Sequence, residues 1–264
     1  MSSFLNTIAE LTETRVAAAK RVKPQSVLEA EPLFARQPRG ARASFLKTGI
    51  NIIAEVKFAS PSEGDIRHAH DPLPVAAGYL AAGATMLSVL TEPQYFKGSL
   101  DYLRDIRAAN PEALLLRKDF MVDPYQMLEA RAAGADAILL VVAMLPYAQT
   151  KDLYDAARAL GLTPLVEVHD GEEFGAAVKL GADFVGVNNR NLKTLKIDLE
   201  IGRSLAARKP DNAVFICESG LSTAADVEGM KSLGYDGFLM GSHFMRQPDP
   251  GAALSRLKKE LSCA

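Results

Sequence analysis

Two charged residues interrupt an apolar run, Ile52-Ile53-Ala54-Glu55-Val56-Lys57-Phe58. Alternate side chains of an extended chain share a face, so Glu55 and Lys57 are expected side by side. The run ends in Ala59-Ser60-Pro61-Ser62-Glu63-Gly64, a turn-forming stretch. An acid beside a base where a strand meets a loop can move protons on a bound molecule. The alternative is an ion pair that closes the end of a barrel, which is costly in a core unless something uses it. Similar residues recur downstream. Lys118 ends Leu115-Leu116-Arg117-Lys118, and Glu167 lies in Leu165-Val166-Glu167-Val168. Asn188 and Arg190 fall in Val187-Asn188-Asn189-Arg190, and Glu218 precedes Ser219-Gly220. Two lysines, three glutamates, an asparagine and an arginine at one mouth would make a small-molecule site with acid, base and anion-binding groups.

Elements that alternate along the chain would position these groups. Short runs rich in Val, Ile and Leu at 50–57, 86–90, 114–118, 137–142, 164–168, 184–188, 214–218 and 237–241 read as strands buried on both faces. Helical patterns fall between them at 73–82, 100–109, 124–133, 149–160, 172–180, 199–207 and 223–233, and a last one spans 251–261. Eight strand–helix units fit an α/β fold, a (β/α)8 TIM barrel, with a doubly wound open sheet as the alternative. Ala82-Gly83-Ala84-Thr85, Ala133-Gly134-Ala135-Asp136, Leu180-Gly181-Ala182-Asp183 and Leu233-Gly234-Tyr235-Asp236 recur about every 50 residues, always between a helix and an even-numbered strand. Glycine there ends a helix in the left-handed region, and a fourfold repeat of paired units closes into eight. Residues 1–49 precede the first strand and read as an N-terminal helical extension of a single barrel domain spanning 1–264. Its apolar stripe Phe4, Leu5, Ile8, Leu11 predicts a helix to about Lys20, with 26–49 irregular except for a short helix near 43–47. The basic cluster Lys20-Arg21-Val22-Lys23 reads as a solvated helix end, or else as a positive rim for an anion.

The chain has 264 residues, 48% hydrophobic and 23% charged, with a formal net charge of -2. No overall basic field calls for nucleic acid or an anionic membrane. No apolar run approaches the ~18 residues of a spanning helix, and Met1-Ser2-Ser3-Phe4-Leu5-Asn6 lacks a signal-peptide pattern. Cys217 and Cys263 fit neither a disulfide framework nor a zinc site, which points to the cytoplasm. The four histidines, His68, His70, His169 and His243, read as bystanders without metal spacing.

Two glycine–serine elements follow the last strands, Ser219-Gly220-Leu221-Ser222 and Gly241-Ser242-His243-Phe244. Backbone amides at such turns cradle phosphate, and barrels commonly bind it in those two loops. Taken together, the chain resembles the indole-3-glycerol-phosphate synthase family over essentially its whole length. The marks are Ile53-Ala54-Glu55-Val56-Lys57 with Ala59-Ser60-Pro61-Ser62, Thr91-Glu92 with Phe96, Leu116-Arg117-Lys118-Asp119-Phe120, Val166-Glu167-Val168-His169, Gly186-Val187-Asn188-Asn189-Arg190-Asn191-Leu192 and Glu218-Ser219-Gly220.

The resemblance implies a cofactor-free barrel whose extension lies over its mouth. It implies closure of the indole ring of 1-(2-carboxyphenylamino)-1-deoxyribulose 5-phosphate with loss of carbon dioxide and water, a lyase step of tryptophan biosynthesis. It further implies Lys118 as general acid and Glu167 as base, with Lys57, Glu55, Asn188 and Glu218 completing the catalytic set. Substrate would meet Ser60, Pro61, Phe96, Phe120, Arg190, Leu192 and Leu239. Its phosphate would meet Lys57, Ser219, Gly220, Gly241 and Ser242. The expected partner is a phosphorylated small molecule, with no nucleic acid, membrane or metal, and the chain a monomer or weak homo-oligomer. Phe58 and Glu63 stand where relatives often carry Lys or Arg, so the loop after the first strand is expected to be less basic. Another phosphosugar barrel, such as phosphoribosylanthranilate isomerase, is the alternative enzyme. A catalytically silent phosphate-binding barrel is the alternative outside enzymes.

Overall fold

A computed structural model describes residues 3–263. Met1 and Ser2, which belong to the N-terminal stretch read above, lie outside the described residues, as does the side chain of Cys263. Eight parallel strands close on themselves: β1 (Asn51–Val56), β2 (Met86–Leu90), β3 (Leu115–Lys118), β4 (Ala137–Val141), β5 (Thr163–Val168), β6 (Phe184–Asn188), β7 (Val214–Glu218) and β8 (Gly237–Met240). β1 pairs with β8 through Ile53↔Leu239 and with β2 through Ile53↔Met86, which excludes the open sheet. Every barrel strand except for the end of β3 at Lys118 is buried throughout, as unbroken apolar runs require.

Pleating sorts each strand into two sets. Ile52, Ala54 and Val56 pack outward against the helices. Ile53, Met86, Leu116, Ala137, Leu165, Phe184, Val214, Ile216 and Leu239 fill the barrel. Glu55 belongs to the inward set by alternation, one step nearer the C-terminal mouth than Ile53. The repeated glycines take left-handed backbone, with φ of 78° at Gly83, 83° at Gly134, 77° at Gly181 and 99° at Gly234. Two of the aspartates that follow also clamp the floor. Asp136 accepts from the Leu115 amide and Asp236 from the Phe215 amide, each on the preceding strand.

The extension wraps the barrel from mouth to floor. Helix α1 (Ser3–Val22) crosses the mouth, where Arg15 meets the buried Asp119 at 2.7 Å and Ile8 joins the interior cluster. The basic cluster at its end is structural. Lys20 pairs with Asp123 at 2.7 Å, Lys23 pairs with Glu31 at 2.9 Å, and the Lys23 carbonyl accepts from the Tyr125 hydroxyl. The chain then runs down the side through α2 (Gln25–Glu29) and a 3-10 turn (Pro32–Phe34), so 26–49 holds more regular structure than expected. Helix α3 (Ala41–Ser44) sits slightly earlier than the 43–47 expectation, and the buried Phe45 that caps it packs on Phe184 with ring centroids 5.3 Å apart. Three more features differ from the sequence expectations. β1 stops before Lys57, because the chain turns there into a small hairpin, Ala59–Ser60 against Gly64–Asp65. β4 ends at Val141 and passes into a 3-10 turn. β8 ends at Met240, since Gly241 opens a short helix, Ser242–Met245.

Candidate active site

The C-terminal ends of the strands surround a cavity of ≈140 Å³. Glu55, Lys57, Lys118, Glu167, Asn188 and Glu218 all reach it, as do Arg190 and Ser219 from the loops that follow β6 and β7. The Lys118 Nζ lies 2.6 Å from Glu218 Oε2 and 3.2 Å from Glu167 Oε2. Lys57 Nζ lies 3.1 Å from Glu55 Oε1, and Ser88 Oγ donates to Glu55 Oε2 at 3.5 Å. Asn188 Nδ2 donates to Glu167 Oε1 at 3.1 Å, and its own Oδ1 accepts from the Arg190 amide. Arg190 is aimed by a further bond from Nη1 to the Leu195 carbonyl at 3.0 Å.

These charges set one another. Burial works against the Lys118 ammonium, yet the carboxylates of Glu218, Glu167 and Glu55 outweigh it and hold the lysine above its ordinary value. Burial alone would raise Glu167. Lys118, His169 and Asn188 together override it and keep this carboxyl well below the usual range. Glu218 goes the other way. Burial, only partly offset by Lys118 and reinforced by the charges of Glu167 and Glu55, pushes it up to about 7. Its Oε1 is buried with no hydrogen-bond partner. Two carboxyls on one lysine therefore differ in proton affinity, the arrangement that separates acid from base roles. Gly186 makes room for this, because a Cβ there would overlap the Glu218 carboxylate.

One wall is aromatic. Phe96 and Phe120 lie with centroids 6.1 Å apart at 46° and, with Leu192 and Leu239, give an apolar face for a flat ring. The Phe96 loop is pinned by Glu92, whose carboxylate accepts from the amides of Gln94, Tyr95 and Phe96. Asp119 underpins Phe120. It accepts from the Phe120 amide and from Thr91 Oγ1, and it pairs with Arg117 and Arg15.

A second cavity of ≈330 Å³ adjoins the first through Glu55, Lys57, Arg190, Ser219 and Leu239. Gly220, Gly241 and Ser242 line it. Ser219 and Gly220 both take left-handed backbone, φ 63° and 86°, in a turn that can present consecutive amides to an anion. A Cβ on Gly241 would come within 2.6 Å of Glu55 Oε1, so this turn also brings the two cavities close together.

Ser60 and Pro61 stand apart from the other expected residues. Neither lines the two cavities; Ser60 Oγ faces Ser62 Oγ at 3.4 Å and Pro61 is exposed on the hairpin. Phe58 is no part of a steering loop, since it is buried against His70 and Tyr102. Glu63 does reach the second cavity, where it pairs with Arg246 at 3.0 Å. His169 is not the bystander it looked. Its Nε2 lies 3.1 Å from Glu167 Oε1 and its Nδ1 lies 2.9 Å from Glu173 Oε2. Its position two residues beyond Glu167 was the available signal, because alternation puts both on one face. Asn189, next to Asn188, is structural: it is buried and bonds the Glu218 and Ser219 carbonyls and the Gly202 amide.

A model of the family described as indole-3-glycerol phosphate synthase matches residues 5–257. A protein of that name from Dechloromonas aromatica is 44% identical over 261 residues, covering 97% of this chain and 99% of that protein. Another from Chromobacterium violaceum is 45% identical over 265 residues, covering 97% and 98%. Among solved structures, the tryptophan synthase alpha chain from Legionella pneumophila aligns with a TM-score of 0.62 at 14% identity, covering 84% of this chain and 97% of that one. The 3-hexulose-6-phosphate synthase from Salmonella typhimurium aligns with a TM-score of 0.66 at 13% identity, covering 81% and 99%. At such identities these two likenesses speak to the barrel alone. The family match and the relatives' nearly complete overlap speak to more: this chain belongs to the indole-3-glycerol phosphate synthase family.

Proposed function

We propose that the two adjoining cavities hold the two ends of 1-(2-carboxyphenylamino)-1-deoxyribulose 5-phosphate, and that Lys118 and Glu167 carry the proton transfers that turn it into indole-3-glycerol phosphate. The observation that carries this assignment is Lys118 wedged between Glu167 and Glu218 at the floor of the first cavity. The anthranilate ring lies against Phe96 and Phe120, with Arg190 offering a planar fork to its carboxylate. The phosphate lies in the second cavity against the amides near Gly220 and Gly241, with Ser242 and Lys57.

The chemistry follows from that placement. As the ring carbon attacks the ribulose carbonyl, its oxygen gains charge and takes a proton from the Lys118 ammonium. An ammonium held this firmly is a weak acid toward water but a competent one toward a developing alkoxide. Carbon dioxide then leaves, returning its bonding pair to the ring. The hydroxyl departs as water with a second proton from Lys57, or from Lys118 once solvent has reprotonated it, while Glu167 takes the proton released at the neighbouring atom. Each such transfer contributes ~10²–10⁴-fold. Glu218, Glu55 and Asn188 hold the lysines and the sugar hydroxyls. Ser60 and Pro61 enter this proposal only if the hairpin moves toward the bound ring. We include in the proposal a cytosolic location, supported by the buried free thiol of Cys217, and a monomer or weak homo-oligomer.

Fluorescence offers a direct test. The chain contains no tryptophan, so an indole signal that grows on adding the substrate must come from product. Silence from folded protein at saturating substrate would refute the assignment.

A further inference from the structure

His169 occupies a place the proton-transfer scheme above leaves unexplained. It follows β5 directly, and its side chain, 8% exposed, lies between two carboxylates. On the inner side stands Glu167, backed by Lys118 and Glu218. On the outer side stands Glu173 in helix α4 (Gly171–Leu180), whose Oε2 accepts both the His169 amide at 2.8 Å and its Nδ1 at 2.9 Å. The remaining charged groups near the ring are Asp170, which caps α4, and Lys193 in the loop after β6, both lining an outer cavity of ≈340 Å³ with His169 and Glu173. A ring nitrogen facing a carboxylate is stable only with a proton on it, and here both nitrogens face one. The Nε2–H is not aligned for a good hydrogen bond to Glu167, so that contact is an ion pair more than a directional bond.

We propose that His169 is a positioning residue for Glu167: clamped as an imidazolium by Glu173, it holds the Oε1 side of the Glu167 carboxylate with Asn188 and leaves Oε2 as the oxygen turned toward Lys118 and the substrate. The proposal rests on the assignment of Glu167 as the base. Electrostatics agree with the geometry. Burial would lower the imidazole, but its contacts with Glu167 and Glu173 overcome this and push it up to about 10. The His169 charge in turn helps keep Glu167 ionised.

Two measurements test this, and the first needs no activity. In 15N-histidine NMR of the whole protein, His169 should remain doubly protonated at pH 8.5, and Glu173→Gln should lower its titration point. A neutral His169 at pH 7.5 would overturn the proposal. The second is the pH profile of kcat. Removing an opposite charge at this range shifts a carboxylate by ~1–3 units, so His169→Gln should move the acid limb upward by ~1–3 pH units with KM little changed. Glu173→Gln, on a partly exposed helix face, should move it the same way by less and guards against a folding defect in the first variant. Unmoved profiles in both folded variants would reduce His169 to packing. Failure of the underlying assignment would look different: Glu167→Gln would keep its turnover while the NMR result stood.

Discussion

Replacing Lys118 by methionine should do more than remove an acid. In the wild type one ammonium answers Glu167 and Glu218 directly, with Glu55 also felt. Methionine fills similar volume but leaves those carboxylates buried without their cation. Removing one partner of a buried pair costs ~3–5 kcal/mol. For a chain of this size each kcal/mol lowers Tm by ~2–4 °C, so a fall of ~6–20 °C is expected at pH 8. The loss should depend on pH. Without Lys118 the folded-state pKa of Glu167 rises above the ordinary carboxylate value, and that of Glu218, already raised, climbs further. Groups raised in this way stabilise the fold fully below their unfolded pKa, and that stability is lost as pH climbs through the folded value. The wild-type Glu167 is depressed instead, so its contribution is present above the unfolded value and fades in acid. The Glu167 contribution of the wild type is already present at pH 5, so it is the raised carboxyls of the variant that make the gap smaller near pH 5 than at pH 8. Adding Glu218→Gln to Lys118→Met removes one of the stranded charges and should restore more than half of the lost Tm. Circular dichroism melts of the three proteins at pH 5, 6.5 and 8 read this out. An equal gap at all three values would show that these carboxylates do not depend on the lysine.

Three further outcomes follow from the site. Glu167→Gln keeps shape and hydrogen bonding but cannot take a proton, so indole formation should slow by ~10²–10⁴-fold while carbon dioxide release outpaces it in a stopped-flow comparison. Ser242→Asp puts a negative charge into the phosphate cavity; like-charge contact costs several kcal/mol, so KM should rise by at least ~10-fold, and an unchanged KM would move the anion site elsewhere. Gly186→Ala directs a methyl group at Glu218, which should displace that carboxylate and lower kcat with KM nearly unchanged; a wild-type kcat would show that the carboxylate position is not critical.

Much of this was legible in the sequence because it depends on pattern. Strands buried on both faces read as unbroken Val/Ile/Leu runs, and the charges inside such runs at Glu55 and Glu218 turn to the barrel interior or its mouth, whereas Arg117 faces the helix layer and pairs with Glu129. The four repeated glycine turns could be read as helix ends because left-handed backbone favours glycine. What remained hidden depends on distant partners. His169 is an exception, since both its carboxylate partners, Glu167 and Glu173, lie within four residues of it in the chain. Phe58 looked like a loop residue because its aromatic partners His70 and Tyr102 come from later segments. The irregular look of 26–49 hid elements of three to five residues, too short to show a period, that are held by contacts such as Arg131 with the Phe34 carbonyl and Phe45 with Phe184. The room Gly186 leaves for Glu218 lies across two strands and has no signature along one.

The division of labour between Lys118 and Glu167 is the central claim, and a single-turnover experiment tests it most directly. Enzyme in excess is mixed with 1-(2-carboxyphenylamino)-1-deoxyribulose 5-phosphate, and carbon dioxide release and indole fluorescence are followed in parallel for the wild type and for Lys118→Met. Lys118 as the first acid predicts that the variant binds substrate yet loses both signals together, because ring closure precedes decarboxylation. A rapid burst of carbon dioxide from Lys118→Met would contradict it and transfer the first protonation to Lys57.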